Sequence, residues 1–123
     1  MKTKVLLDTV TILAGGNSVT PIIDLEAYAI EGFFSIHLII SGSGTAKVEY
    51  MSSNFETSLD TDYVVQTATA DVIVSDFTSS SGPGTNGKDV ISFNPEVSNR
   101  IKLKVTETGG VNSIVVTLII CLI

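Results

Sequence analysis

Short segments in which apolar and polar residues alternate recur along this chain, and glycine-rich turns separate them. The runs Phe33–Ser41, Thr45–Met51 and Arg100–Thr106 have the two-residue period of strands that bury one face. No run has the spacing of a convincing amphipathic helix, and 123 residues leave no room for a second core. The pattern predicts an all-β chain, with a single-domain antiparallel β-sandwich or jelly roll of about eight strands over residues 1–123.

The strongest of these patterns lies in the middle of the chain. Phe33–Ser41 places Ile36, Leu38 and Ile40 on one face and His37 on the other. The turn residues 42–44, with sequence GSG, lead into Thr45–Met51. Two alternating runs joined by a short glycine turn are typical of a β-hairpin, so we predict that these two strands pair with each other.

The last run, from Ile114 to the C-terminus, is apolar on both faces. Its even-numbered positions fill one face. Leaving the other face exposed would cost several kcal/mol, at about 25 cal/mol per Å² of apolar area. We expect this second face to be buried between subunits of a homo-oligomer, with a trimer as the expected form, or to be covered by the chain's own N-terminal segment. The residues of this expected interface are Val115, Ile119, Cys121 and Ile123.

The net charge limits which partners the chain can bind, and the cysteine content limits its disulfide bonds. The formal net charge is −6 and the isoelectric point is about 4.5, which disfavours binding to nucleic acid or to an anionic membrane surface. The single cysteine, Cys121, cannot form a disulfide within the chain. The apolar C-terminal run is about half the length that a membrane-spanning helix needs, and Asp8, Thr9 and Thr11 interrupt the N-terminal one. We therefore expect neither a membrane segment nor an export signal.

The stretch GPGTNGKD, residues 82–89, matches a phosphate-binding loop except at its last position. Asp89 stands where a hydroxyl would bind magnesium. A phosphate loop also needs a following helix, whose N-terminus holds the phosphates, whereas here a β-type run ended by Pro95 follows. The sequence predicts a flexible loop between strands at this place.

Catalytic and metal-binding residues are not apparent in the sequence. The only histidine, His37, lies mid-strand, and no second base or cysteine cluster accompanies it. We expect no catalytic residue, no metal site and no cofactor, and therefore a protein that is not an enzyme.

Two stretches carry a resemblance to a known class of proteins. The segment GFFSIHLIISGSGTAKVEYMSSNFE, residues 32–56, resembles a segment of small all-β virion proteins of tailed bacteriophages. The segment GKDVISFNPEVSNRIKLKVTETGG, residues 87–110, resembles the end of such proteins and, more weakly, discoidin-like and carbohydrate-binding jelly rolls. The resemblance implies a virion structural protein, made in the host cytoplasm, that decorates or cements a capsid or belongs to a tail, with capsid or tail proteins as partners.

A carbohydrate-binding module of the jelly-roll type is the alternative. Such modules bind sugars with exposed aromatic side chains, and this chain has no tryptophan. The candidate platform consists of Tyr28, Phe55 and Tyr63. Exposure of all three around one groove would favour this alternative over self-assembly.

Overall fold

The structure is a computed structural model that describes residues 2–24, 34–54, 63, 72–94 and 100–122. The described residues form nine β-strands and no helix, which confirms the predicted all-β sandwich. The third strand has only two residues, so the main strands number about eight, as predicted. The strands are β1 (Lys2–Ile12), β2 (Asn17–Val19), β3 (Ile23–Asp24), β4 (Phe34–Gly42), β5 (Ala46–Ser53), β6 (Val72–Phe77), β7 (Lys88–Phe93), β8 (Arg100–Glu107) and β9 (Ile114–Leu122).

The strands form two antiparallel sheets with nested pairing. The front sheet has the order β1-β9-β4-β7, and the back sheet has the order β2-β8-β5-β6, with β3 also paired to β8. The first strand therefore pairs with the last, β2 and β3 both pair with β8, β4 pairs with β7, and β5 pairs with β6. A long hairpin rolled up in this way is a jelly roll.

The core lies between the sheets and is built by alternation. In β9 the even-numbered positions are almost inaccessible, as predicted, while the odd-numbered ones are half-buried. In β4 the alternate residues Ile36, Leu38 and Ile40 are buried and His37 is exposed, again as predicted. Both strands lie inside the front sheet and so have a neighbour on each side. Their inward side chains form the centre of the core cluster.

The predicted hairpin of β4 with β5 is wrong. β4 pairs with β9 and β7 in the front sheet, whereas β5 pairs with β6 and β8 in the back sheet. The turn between them carries the chain across the core instead of folding it back. Gly42 has a φ of +90°, and a Cβ on Gly44 would stand 2.7 Å from both the Asn112 carbonyl oxygen and the Ile114 Cγ2 atom. The glycines thus allow a tight passage between the sheets.

Proline 21 marks the edge of the back sheet. It lies between β2 and β3, which are two short strands that both pair with β8. Proline has no backbone N–H group to donate to a ladder, so it fits at this edge.

The core packing yields a first prediction. Leu118 is fully buried and lies in register between Leu7 and Leu38. We expect Leu118→Ala to lower the free energy of unfolding by about 2–5 kcal/mol, because it removes buried methyl groups and leaves a cavity. The matched control is Val111→Ala in the exposed β8–β9 turn, which we expect to change it by less than about 0.5 kcal/mol. Chemical denaturation measures both, and equal effects would contradict the two-layer core.

Candidate functional site

The outer face of the front sheet is the most unusual surface of the described chain. Apart from His37 and Lys88, the outward side chains of β4, β7 and β9 are aliphatic, small or hydroxylic, and Lys88 at the start of β7 is the one carboxylate or ammonium group among them. Val115, Ile119 and Cys121 lie on this face and are half-buried. Ile123, the fourth residue of the expected interface, lies outside the described residues.

Strand register lines up a row of side chains across this face. Val5 on β1 is opposite Ile119 on β9, Ile119 is opposite His37 on β4, and His37 is opposite Val90 on β7. Val5 and Val90 are 55% and 63% exposed, which is high for aliphatic side chains in strands. The row has three branched aliphatic side chains and one imidazole, and it runs across the whole width of the sheet.

The back sheet has an outer face of the ordinary, charged kind. Lys47 and Glu49 on β5 form an ion pair with a separation of 3.7 Å between Nζ and Oε2. On β8 the outward positions include Lys102 and Lys104, and Lys104 is directly opposite Glu49. The two outer faces of one sandwich therefore differ in charge, although both are made of the same alternating strands.

The loop before β7 borders this face. Residues 78–87 fold on themselves through hydrogen bonds in which the Thr78 N–H donates to the Ser81 hydroxyl (2.9 Å) and the Gly87 N–H donates to the Ser81 carbonyl oxygen (2.9 Å). Beside the loop lies an open depression of about 470 Å³. Its polar lining comes from His37, Asn86, Lys88 and Asp89, with Pro83, Gly84 and Val90 as the remaining walls.

The geometry of this loop differs from that of a phosphate-binding loop. The residues after GPGTNG form the strand β7, not a helix, so no helix N-terminus stands over the loop to hold a phosphate. The predicted loop between two strands is confirmed, since β6 precedes it and β7 follows it.

Tyr63 does not present an open aromatic face. Its exposed fraction is 9%, and the Nζ atom of Lys102 lies 4.2 Å from the centre of its ring. Lys102 has the outward phase of the alternating strand β8 but is buried on that side, because a lysine stem and ammonium group pack well against an aromatic ring. Tyr28 and Phe55 lie outside the described residues, so the three-residue glycan platform stays a prediction.

A buried carboxylate closes the end of the sandwich where the chain repeatedly changes sheets. Glu107, the last residue of β8, is 1% exposed. Its Oε1 atom accepts hydrogen bonds from the N–H groups of Gly15 (3.1 Å) and Gly110 (2.6 Å), and its Oε2 atom accepts from those of Thr45 (2.8 Å) and Gly109 (2.8 Å). One side chain thereby connects the β1–β2, β4–β5 and β8–β9 turns.

These four donors determine the electrostatics of Glu107. The N–H groups of Thr45, Gly110, Gly15 and Gly109 favour the ionised form and lower the pKa of Glu107 from 4.5 to about 2, although burial acts in the opposite direction. The sequence analysis missed this residue. The sequence does indicate that this glutamate is buried, since Glu107 has the same two-residue phase as the inward residues Ile101, Leu103 and Val105. It also comes immediately before a turn that contains two glycines.

The described residues contain neither a cluster of metal ligands nor a membrane-spanning helix. Within the described ranges, no three His, Cys, Asp or Glu side chains come together as metal ligands. Over the same part of the chain, the structure contains no helix with the length and apolar character to cross a membrane.

No protein-family model and no curated protein sequence matches this chain. Among solved structures, it is similar to PliG of Aeromonas hydrophila, a periplasmic inhibitor of g-type lysozyme, with 10% identity and a TM-score of 0.48 over 98% of this chain and 86% of that one. It is also similar to the VP2 subviral particle of infectious bursal disease virus, with 14% identity and a TM-score of 0.47 over 97% of this chain and 31% of that one.

A third similarity is to CBM86, a low-affinity xylan-binding module from Roseburia intestinalis, with 10% identity and a TM-score of 0.38 over 98% of this chain and 89% of that one. At these identities and TM-scores, none of the three assigns a function or a ligand to this chain.

The Glu107 cluster predicts an acid-sensitive fold. Since the folded pKa lies below the ordinary value, the stabilisation is fully present above pH 4.5 and is lost as the pH falls towards about 2. We expect Glu107→Gln to lower the melting temperature at pH 7, because an amide turns an N–H group towards N–H donors, and to flatten the decrease between pH 4.5 and pH 2. Glu49→Gln, on the outer face of β5, should retain that decrease. If the melting temperatures of the two variants fall with the same slope between pH 4.5 and pH 2, Glu107 is not the source of the acid sensitivity.

Proposed function

We propose that this chain is a non-enzymatic structural subunit of a virion, a capsid decoration or cementing protein or another virion-associated subunit, that works by self-association. The subunits associate through the outer face of the front sheet. The function is mechanical: the chain buries apolar surface between its own copies and against a shell, and thereby stabilises the assembly.

The observation that carries this proposal is the row Val5, Ile119, His37 and Val90 on a face where the strands β4, β7 and β9 present one charged side chain, Lys88. Val5 and Val90 are more than half exposed. Complete burial of a valine or isoleucine side chain contributes about 1.5–3 kcal/mol, so covering this row in an assembly is favourable. The outer face of the back sheet is less suited to an apolar contact, because the Lys47–Glu49 ion pair and Lys104 lie there and charged groups lose hydration when they are buried.

Composition and fold agree with a structural role. A net charge of −6 keeps a chain with 44% hydrophobic residues soluble before assembly. Jelly rolls are common among capsid and lectin domains, and the resemblance of residues 32–56 and 87–110 to phage virion proteins favours the capsid or tail over the lectin. These points support the virion part of the proposal, while the face itself supports only self-association.

A charge placed on the front face tests the self-association. We expect Ile119→Asp to dissociate the oligomer, because the carboxylate would have to lose its hydration inside the interface. Met51→Asp is the matched control, since Met51 is also half-buried and apolar but lies on the outer face of the back sheet. Sedimentation velocity measures the mass of each variant, and circular dichroism verifies that each is folded. An oligomer that survives Ile119→Asp but not Met51→Asp would place the interface on the back sheet.

The virion part has a separate test. Particles banded on a density gradient from the organism that carries the gene should contain this chain in a fixed molar ratio to the shell protein, as measured by quantitative mass spectrometry. A chain that oligomerises in solution but is absent from such particles would contradict the virion assignment and leave the self-association standing.

A further inference from the structure

The strand β7 forms a regular edge of the front sheet. It pairs with β4 over six consecutive residue pairs, from Phe34 with Phe93 to Ile39 with Lys88, without a register shift. On its other side, no strand among the described residues pairs with it. A regular strand with an unpaired row of backbone groups is a template for another strand.

The other sheet edges carry features that discourage pairing. β1 has two register shifts and a positive φ at Thr9, and β6 has two register shifts and a positive φ at Asp76. The remaining edge is made of β2 and β3, which are three and two residues long and separated by Pro21. Bulges, short strands, proline and charged side chains are the usual protection of an edge, and β7 has only the last of these. On β7, the charged residues Lys88 and Asp89 stand at one end of an otherwise uncharged strand.

A hydrogen bond at the end of β4 fixes which groups of β7 face outwards. The Ile40 N–H donates to the Gly87 carbonyl oxygen at 2.8 Å, and this pair continues the β4–β7 register. In an antiparallel ladder, hydrogen-bonded and non-bonded pairs alternate. Asp89 and Ile91 therefore direct their backbone groups towards β4. The backbone groups of Lys88, Val90 and Ser92 point to the open edge.

We propose that β7 pairs antiparallel with β7 of a second copy, about a two-fold axis that passes beside Val90. This inference rests on the proposed self-association and specifies one of its contacts. Val90 is opposite the partner's Val90, and Lys88 is opposite the partner's Ser92. In this register Val90 with the second copy's Val90, and Lys88 with the second copy's Ser92, each exchange two backbone hydrogen bonds. The two front sheets thereby become one continuous sheet.

The sequence of β7 is complementary to itself in this register. The two Val90 side chains, each 63% exposed in the single chain, cover one another on the front face. Lys88 meets a serine instead of a second lysine, and Asp89 is opposite the partner's Ile91, so no like charges face each other. A shift that centred the pairing on Asp89 would bring two carboxylates together. The contact is two-fold, so it builds assemblies with an even number of subunits, unlike the expected trimer.

Cysteine cross-linking tests the pairing and its register. Opposed residues in such a pair have Cα atoms about 5.5 Å apart, within the range of a disulfide. In a Cys121→Ser background we expect Val90→Cys to form a disulfide-linked dimer under mild oxidation. Lys88→Cys and Ser92→Cys should each remain uncross-linked alone and should form a mixed dimer when combined. Val111→Cys, in the exposed β8–β9 turn, measures the background of random collisions.

Backbone substitution at the same residue gives an independent measurement. Val90→Pro removes the outward N–H group but leaves the β4 ladder intact, and we expect it to abolish the two-fold contact. Val90→Thr keeps that N–H group and should retain the contact, although more weakly. Circular dichroism verifies the fold of both variants, and sedimentation velocity reports their mass.

The outcomes separate this inference from the proposed function. An oligomer in solution whose Val90→Cys variant cross-links no faster than Val111→Cys overturns the edge pairing and leaves the self-association standing. A wild-type chain that is monomeric at every concentration overturns both. Cross-linking of Val90→Cys that persists in a chain also carrying Ile119→Asp, together with a smaller mass of that chain, supports two separate contacts, one at the edge and one on the face.

Discussion

The carboxylate of Glu107 is the interaction on which the shape of this molecule depends. A jelly roll must carry its chain from one sheet to the other several times at the same end, and every crossing leaves backbone N–H groups without a strand partner. Glu107 accepts four of them, from three different turns, with two oxygen atoms. The same carboxylate therefore closes the core and holds the strands β1, β4 and β9 at the positions from which the front face is built.

The alternation of the strands was readable from the sequence because it reflects a single local rule. The even-numbered residues of β9, the buried face of β4 and the exposed position of His37 all follow from the two-residue period, and the structure agrees with each. Strand partners do not follow from this rule. A glycine turn such as residues 42–44 has the same sequence pattern whether the next strand pairs with the previous one or crosses to the other sheet. The predicted hairpin of β4 with β5 was wrong for that reason.

Long-range contacts account for the rest of what the sequence did not reveal. Tyr63 and Lys102 are far apart in the chain, and each buries the other, so neither the position of the ring nor the burial of the lysine follows from local pattern. Glu107 was overlooked because its four donors come from three segments of the chain. The odd-numbered residues of β9 were identified correctly as a second apolar face, since that judgement needed only their own alternation.

Self-association unites the two unusual features of the front sheet, its sparsely charged face and its regular edge strand β7, which has no second partner among the described strands. Edge pairing would enlarge the sheet and present a doubled apolar face to further copies or to a shell. The most direct measurement is the mass of the wild-type protein by light scattering on a sizing column, across a dilution series. Self-association predicts a mass that is a multiple of 13.0 kDa and resists dilution. A mass of 13.0 kDa at every concentration would contradict it.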